Sequence, residues 1–223
     1  MKICSRSVLD ESIPGIVFDQ NGVSHYCKIY DEMDKLYPED SRQDDLKILV
    51  EKIKNSGSKE EYDCIIGVSG GTDSTYTMLK AKELGLKPLA VHLDNGWNSE
   101  IAVKNIKNSC DKLNIDLFTY VINWEEFKDL QISFLNASTP DAEIPTDVAI
   151  HATLIKTAAK ENVKYVLNGH SFRTEFIMPK EWTYMDGKYI KSVHKRFGKK
   201  NLKTFPNYTF YNIVWYNVIK GIK

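Results

Sequence analysis

Three observations predict an α/β fold, a doubly wound parallel sheet, for this 223-residue chain. Apolar runs of strand length alternate with helix-periodic segments across positions 44 to 169. The strands are almost continuously apolar, as strands covered on both faces are. The leading strand runs straight into Gly70-Gly71, where a helix should begin, and such junctions bind ligands in open α/β sheets.

The elements follow in order. Residues 1–40 read as a small irregular knuckle, and residues 41–223 as the sheet domain. In the knuckle, Ile16-Val17-Phe18 suits a short strand and Asn21-Gly22 a tight turn. Leu46, Leu49, Val50 and Ile53 recur at helical spacing, with Gly57 as a stop. "YDCIIGV" is a buried strand, "DSTYTMLKAKELG" a helix and "KPLAVHL" a second strand. "EIAVKNIKNSCDKL" forms a helix with Ile106, Cys110 and Leu113 on one face, "IDLFTYVI" a third strand and "WEEFKDLQISFL" another helix. Pro145 suits the first turn of the helix leading to the strand "KYVLN". After Gly169 the alternation stops. Asp186-Gly187 signals a hairpin, with Trp182, Tyr184 and Tyr189 as its packing residues. The final "YTFYNIVWYNVIKGI" fits helix or strand equally.

Composition narrows the class. Hydrophobic residues make up 42% and charged residues 27%, ordinary for a globular protein, and the net charge is zero. Bulk attraction to nucleic acid or to a membrane surface is therefore not indicated. Charge is nonetheless uneven: residues 31–63 hold eleven acids and six bases, and residues 187–223 hold nine bases and no acid. That basic segment is either a solvated face or a site for a phosphorylated ligand. No apolar run has membrane-spanning length, and the N-terminus lacks a secretion-signal layout. Four cysteines in a chain this long do not make a disulfide scaffold, so a reducing, cytoplasmic location is expected.

The stretch Ser69-Gly70-Gly71-Thr72-Asp73-Ser74 carries the chemistry. Two glycines let backbone N–H groups approach an anion, and the helix start adds partial positive charge. Ser69, Thr72 and Ser74 add neutral donors. The lysine-bearing pattern GxxxxGK[ST] is absent from the sequence, as is GxGxxG. Asp73 would repel a bare phosphate, so it caps the helix or helps hold Mg²⁺ between phosphate oxygens.

This hexapeptide resembles the SGGxDS signature of the PP-loop ATP pyrophosphatases, which include GMP synthetase, asparagine synthetase and tRNA-thiolating enzymes. The resemblance implies ATP bound with its pyrophosphate in the loop, cleavage between the α and β phosphates, and transfer of AMP to a substrate oxygen. It also implies that Asp94 and Asn95 of "VHLDNGWNS" contact the adenosine, and that Gly169-His170 of "VLNGHSFRTE" lines the same crevice.

"CSRSVLDESIPGIVFDQNGVSHYC" and residues 168–207 together resemble one subgroup, the N-acetyl sugar amidotransferases of bacterial lipopolysaccharide and surface-sugar biosynthesis. The likeness runs over the whole chain. It implies conversion of an acetamido group on a nucleotide-linked sugar to an acetamidino group. ATP adenylates the amide oxygen and ammonia displaces AMP. In this family ammonia comes from partner glutaminase and cyclase-like subunits. On this reading Arg173 contacts phosphate, Glu175 faces metal or incoming ammonia, and Asp186, Lys191, Lys195 and Arg196 face the sugar or its diphosphate. Assembly into a homo-oligomer stays open.

The sequence departs from that family twice. Family members carry paired CxxC motifs that read as a zinc site, and the matching positions here are Cys4, Ser7, Ser24 and Cys27. Serine hydroxyls are poor zinc ligands, so this remnant is expected to hold no zinc. The chain also stops at Lys223, where the family continues. Two other functions fit the same motif: a PP-loop tRNA-modifying enzyme, and a non-catalytic nucleotide-binding subunit.

Overall fold

The computed structural model describes every residue except 39–41, 176, 180, 181 and 183. The chain divides into two units. One holds residues 1–48 and 170–184, the other residues 49–169 and 185–223. The knuckle boundary expected at residues 40 and 41 lies outside the described residues.

The larger unit contains the predicted parallel sheet. Its strands are β1 (Cys64–Gly67), β2 (Pro88–Asp94), β3 (Leu117–Val121) and β4 (Tyr165–Leu167), in the spatial order β3-β2-β1-β4. All three pairings are parallel, with Cys64 beside both Pro88 and Tyr165. Strand periodicity sorts the core into two layers. Cys64, Ile66, Val68 and Ala90 bury with Val50, Ile53, Met78, Ile106 and Cys110 from the helices Gln43–Ser56, Thr72–Glu83 and Glu100–Leu113. Ile65, Leu89, Val91 and Leu93 bury against Phe127, Leu130, Ala149 and Ala152 of Trp124–Asn136 and Ile144–Lys160. In chain order we label the helices α1 (His25–Leu36), α2 (Gln43–Ser56), α3 (Thr72–Glu83), α4 (Glu100–Leu113), α5 (Trp124–Asn136), α6 (Ile144–Lys160), α7 (Phe172–Glu175), α8 (Gly187–Phe197) and α9 (Phe210–Asn212). The chain adds β2 and β3 on one side of β1, then returns to add β4 on the other. The switch point therefore lies between β1 and β4.

Helix ends follow local chemistry. Ser99 and Asn123 cap α4 and α5 by accepting first-turn N–H groups, and Gly85 leaves α3 with φ at 75°. The hairpin expected at Asp186-Gly187 is not formed. Asp186 instead caps α8, accepting the Tyr189 N–H at 2.5 Å. Gly187 sits so close to the Tyr208 carbonyl that a Cβ would lie 2.3 Å from its oxygen. Asp-Gly serves a helix start as well as a turn, and Ile190 and Val193 bury at helical spacing behind it. Tyr189 packs edge-on against Phe134, whereas Trp182 and Tyr184 are exposed. The C-terminal stretch resolves as α9 followed by a π-helical segment over Ile213–Ile219.

The smaller unit is built on α1 and turns. Gly22, at φ 75°, makes the Asn21-Gly22 turn, but Ile16-Val17-Phe18 contributes only an isolated bridge from Phe18 to Ser24. Among the described residues, no helix is long and apolar enough to cross a membrane.

Candidate active site

The loop after β1 is shaped by backbone proximity. Gly70 has φ at 79°, and a Cβ there would sit 2.3 Å from the Ala102 carbonyl oxygen in α4. Asn105 of α4 donates to the Gly70 carbonyl at 3.3 Å. On the β4 side, a Cβ on Gly169 would come within 3.0 Å of the Asp73 carbonyl carbon. Two glycines thus let the first turn of α3 sit between α4 and the loop leaving β4. Gly71 is different: its Cβ position meets only Ser69 Oγ at 3.5 Å, so its bareness leaves open space.

Gly71 is the N-cap of α3 and offers no side chain to the helix, so no side-chain cap closes that end. The first-turn N–H groups of Thr72, Asp73 and Ser74 have no acceptor within the helix, and the dipole concentrates positive charge there. Ser74 is buried and works on the loop: its hydroxyl donates to the Gly71 carbonyl at 3.3 Å and accepts the Ser69 N–H at 3.3 Å. Ser69 Oγ lies 3.4 Å from Ser74 Oγ. Asp73 and Thr72 are exposed at the mouth. Ser69 through Ser74 and Gly169 therefore come together at the switch point as one nest, whose uncapped helix N–H groups have the geometry to receive an anion.

Asp94 and Asn95 shape the loop after β2. The Asp94 carboxylate accepts the Gly96 N–H at 3.0 Å and the Asn98 side-chain amide at 3.3 Å. Asn95, buried, accepts the Trp97 N–H at 3.1 Å. His92 was not singled out by sequence reasoning. It is buried in β2 with Nδ1 3.0 Å from the Val68 carbonyl, directly before the nest, while its Nε2 is buried without a partner. Its signal was a lone polar residue inside "PLAVHL".

The remaining expected residues divide between the two units. His170, Arg173 and Glu175 belong to the smaller unit. His170 Nδ1 meets the Glu175 carboxylate at 2.5 Å. Arg173 pairs with Asp34, donates to the Tyr37 carbonyl at 2.7 Å and lies over the Phe172 ring. In the larger unit, Lys191 and Lys195 line a cavity of about 370 Å³ with His194, Asn201, Leu202, Phe205 and Asn207. Arg196 lies over Phe197, and Asp186 is the α8 cap already described. Among the described residues, no group of three or more histidines, cysteines or acids could hold a metal ion.

Sequence comparison adds a superfamily. The chain is 33% identical to the tRNA(Ile)-lysidine synthase of Chlamydia pneumoniae over 73 residues, covering 32% of this chain and 22% of that protein. It is 29% identical to a tRNA-specific 2-thiouridylase of Fusobacterium nucleatum over 138 residues, covering 58% of this chain and 38% of that protein. These relatives point to the PP-loop ATP pyrophosphatase superfamily. They do not point to sugar amidotransferases. This chain spans only a fifth to two fifths of the length of these two curated relatives. No family model matches it. Among solved structures, the NMN synthetase of Francisella tularensis is similar at a TM-score of 0.42 and 19% identity, over 79% of this chain and 85% of that one.

Proposed function

We propose that this chain is an ATP-dependent, AMP-forming amidotransferase that converts the acetamido group of a nucleotide-linked sugar to an acetamidino group. One observation carries the adenylation half: an uncapped, glycine-built, lysine-free helix start at the switch point of a parallel sheet. An amide carbon resists ammonia until its oxygen becomes a leaving group, and adenylation makes it one. The protein's part is alignment and charge neutralisation. The nest amides of residues 70–74 hold the pyrophosphate, while Ser74 keeps the loop in shape through Gly71 and Ser69. Mg²⁺ uses one or two carboxylates plus substrate phosphates, and the exposed Asp73 is the carboxylate this nest supplies. Bound there, it would neutralise charge on the phosphates. Lys191 and Lys195, facing one cavity, suit the sugar diphosphate. The sugar half rests on the resemblance of the N-terminal and 168–207 segments, and ammonia would come from partner glutaminase and cyclase-like subunits.

The named relatives favour a second reading, tRNA modification. Burial pushes the Cys64 and Cys110 thiols up, away from reactivity. That disfavours a thiol relay through them. The test is turnover. The protein is mixed with ATP, Mg²⁺, ammonia and a panel of UDP-N-acetyl sugars, and AMP and an oxygen-to-NH mass change are sought. Ser74→Ala should abolish AMP formation with the fold intact. AMP release that requires tRNA and ignores every sugar would overturn the sugar reading in favour of the second.

A further inference from the structure

Two thiols stand together in the smaller unit and take no part in the chemistry proposed above. Cys4 Sγ and Cys27 Sγ are 3.7 Å apart, and both residues are buried. The loop carrying Cys4 is already tied across to the turn before α1: Ser5 donates to the Gly22 carbonyl at 3.0 Å, and the Ser24 N–H donates to Cys4 Sγ at 3.2 Å. The Arg6 N–H adds a second donor to that sulfur at 3.4 Å, and the Ser24 hydroxyl donates to Cys27 Sγ at 3.5 Å. Cys27 lies in the first turn of α1. We infer that Cys4 and Cys27 form a site of reversible covalent modification, closing to an intramolecular disulfide when the protein meets a peroxide.

Three features support the chemistry. Burial raises the Cys4 pKa, but hydrogen bonds from Ser24 and Ser7 and from the Ser24 and Arg6 backbone outweigh it, bringing the thiol to about 6. The thiolate form of Cys4 is the nucleophile, 3.7 Å from its resolving partner. The cover is thin, since Ser5, Arg6 and Val8 around Cys4 are all exposed. And positions 7 and 24, serines, supply hydrogen bonds in place of further sulfur, leaving a thiol pair whose ready reaction is with each other. In the step itself, the Cys4 thiolate attacks one peroxide oxygen. The O–O bond breaks, hydroxide leaves, and the sulfur, oxidised by two electrons, becomes a sulfenic acid. The Cys27 sulfur then attacks the Cys4 sulfur. The S–O bond breaks, and the departing hydroxide leaves as water with the Cys27 proton. Two thiols and one peroxide yield one disulfide and two waters. The other two cysteines are an internal control, held in the sheet core with Cys110 against Met78.

The experiment is thiol mapping on the whole folded protein. After brief hydrogen peroxide treatment, alkylation under denaturing conditions should find two thiols where the untreated chain offers four, with the mass lower by two hydrogens. Digestion should then yield one cross-linked peptide joining positions 4 and 27, released by dithiothreitol. In Cys27→Ser, a dimedone-reactive sulfenic acid should accumulate at Cys4. If that variant does not fold, the wild-type peptide map decides alone. The proposal is overturned if peroxide links two chains, if Cys4 passes to sulfinic acid while Cys27 stays alkylatable, or if both thiols survive because the purified protein carries a bound zinc ion.

Discussion

Gly70 and Gly71 are neighbours with different physical duties. Gly70 is held at positive φ against the Ala102 carbonyl, so any side chain there is both strained and obstructed. Gly71 has ordinary φ and open space at its Cβ position. Gly70→Ala should cost about 2 kcal/mol from the left-handed backbone alone, with the clash added. Its unfolding midpoint should fall, and ATP binding measured by calorimetry should be lost. Gly71→Ala should leave the midpoint near wild type. Equal midpoints for the two variants would contradict this division of labour.

At the scale of elements, α5 holds the segment after α8 by charge. One Glu126 carboxylate oxygen accepts the N–H groups of Lys203, Thr204 and Phe205 at 2.9–3.0 Å. Asp129 accepts those of Lys199 and Lys200 and meets His194 Nε2 at 3.0 Å. Burial alone would raise the Glu126 pKa, but the three backbone donors outweigh it and hold it below the ordinary carboxylate value. The folded pKa is depressed, so this stability is complete above the unfolded carboxylate range and is lost as pH falls through the folded pKa. Glu126→Gln should cost about 2 kcal/mol at neutral pH and should flatten the acid limb of the stability curve. Denaturant titrations at neutral and acid pH measure both. A Gln variant as acid-labile as wild type would show that another carboxylate governs.

Across the whole molecule, the chain's last residues close the sheet. Lys223 donates its N–H to the Lys164 carbonyl and accepts the Val166 N–H, each at 2.8 Å, covering the open edge of β4. Ile222 beside it is 2% exposed, within the core that also holds Phe127 and Ala152. Ile222→Ala should destabilise the protein by roughly 2–4 kcal/mol through the cavity it leaves. Amide exchange at Val166 should quicken at the same time. Unchanged protection there would mean the edge is held by something other than this C-terminal docking.

What the residues declare locally was legible before any coordinates. "CIIGV" and "PLAVHL" are apolar on both faces, so they had to be covered strands, and Gly70-Gly71 could only make room for something against a helix start. Residues 186–223 show the limit, because a capping Asp-Gly and a turning Asp-Gly are the same letters. Only the arrival of Tyr208 beside Gly187 makes the first one real. His92 was missed for a related reason: nothing near it in sequence names the Val68 carbonyl as its partner. Burial periodicity is written along the chain because it depends on each residue's own affinity for water. Which polar group meets which is decided by the folded arrangement, because those partners stand tens of residues apart.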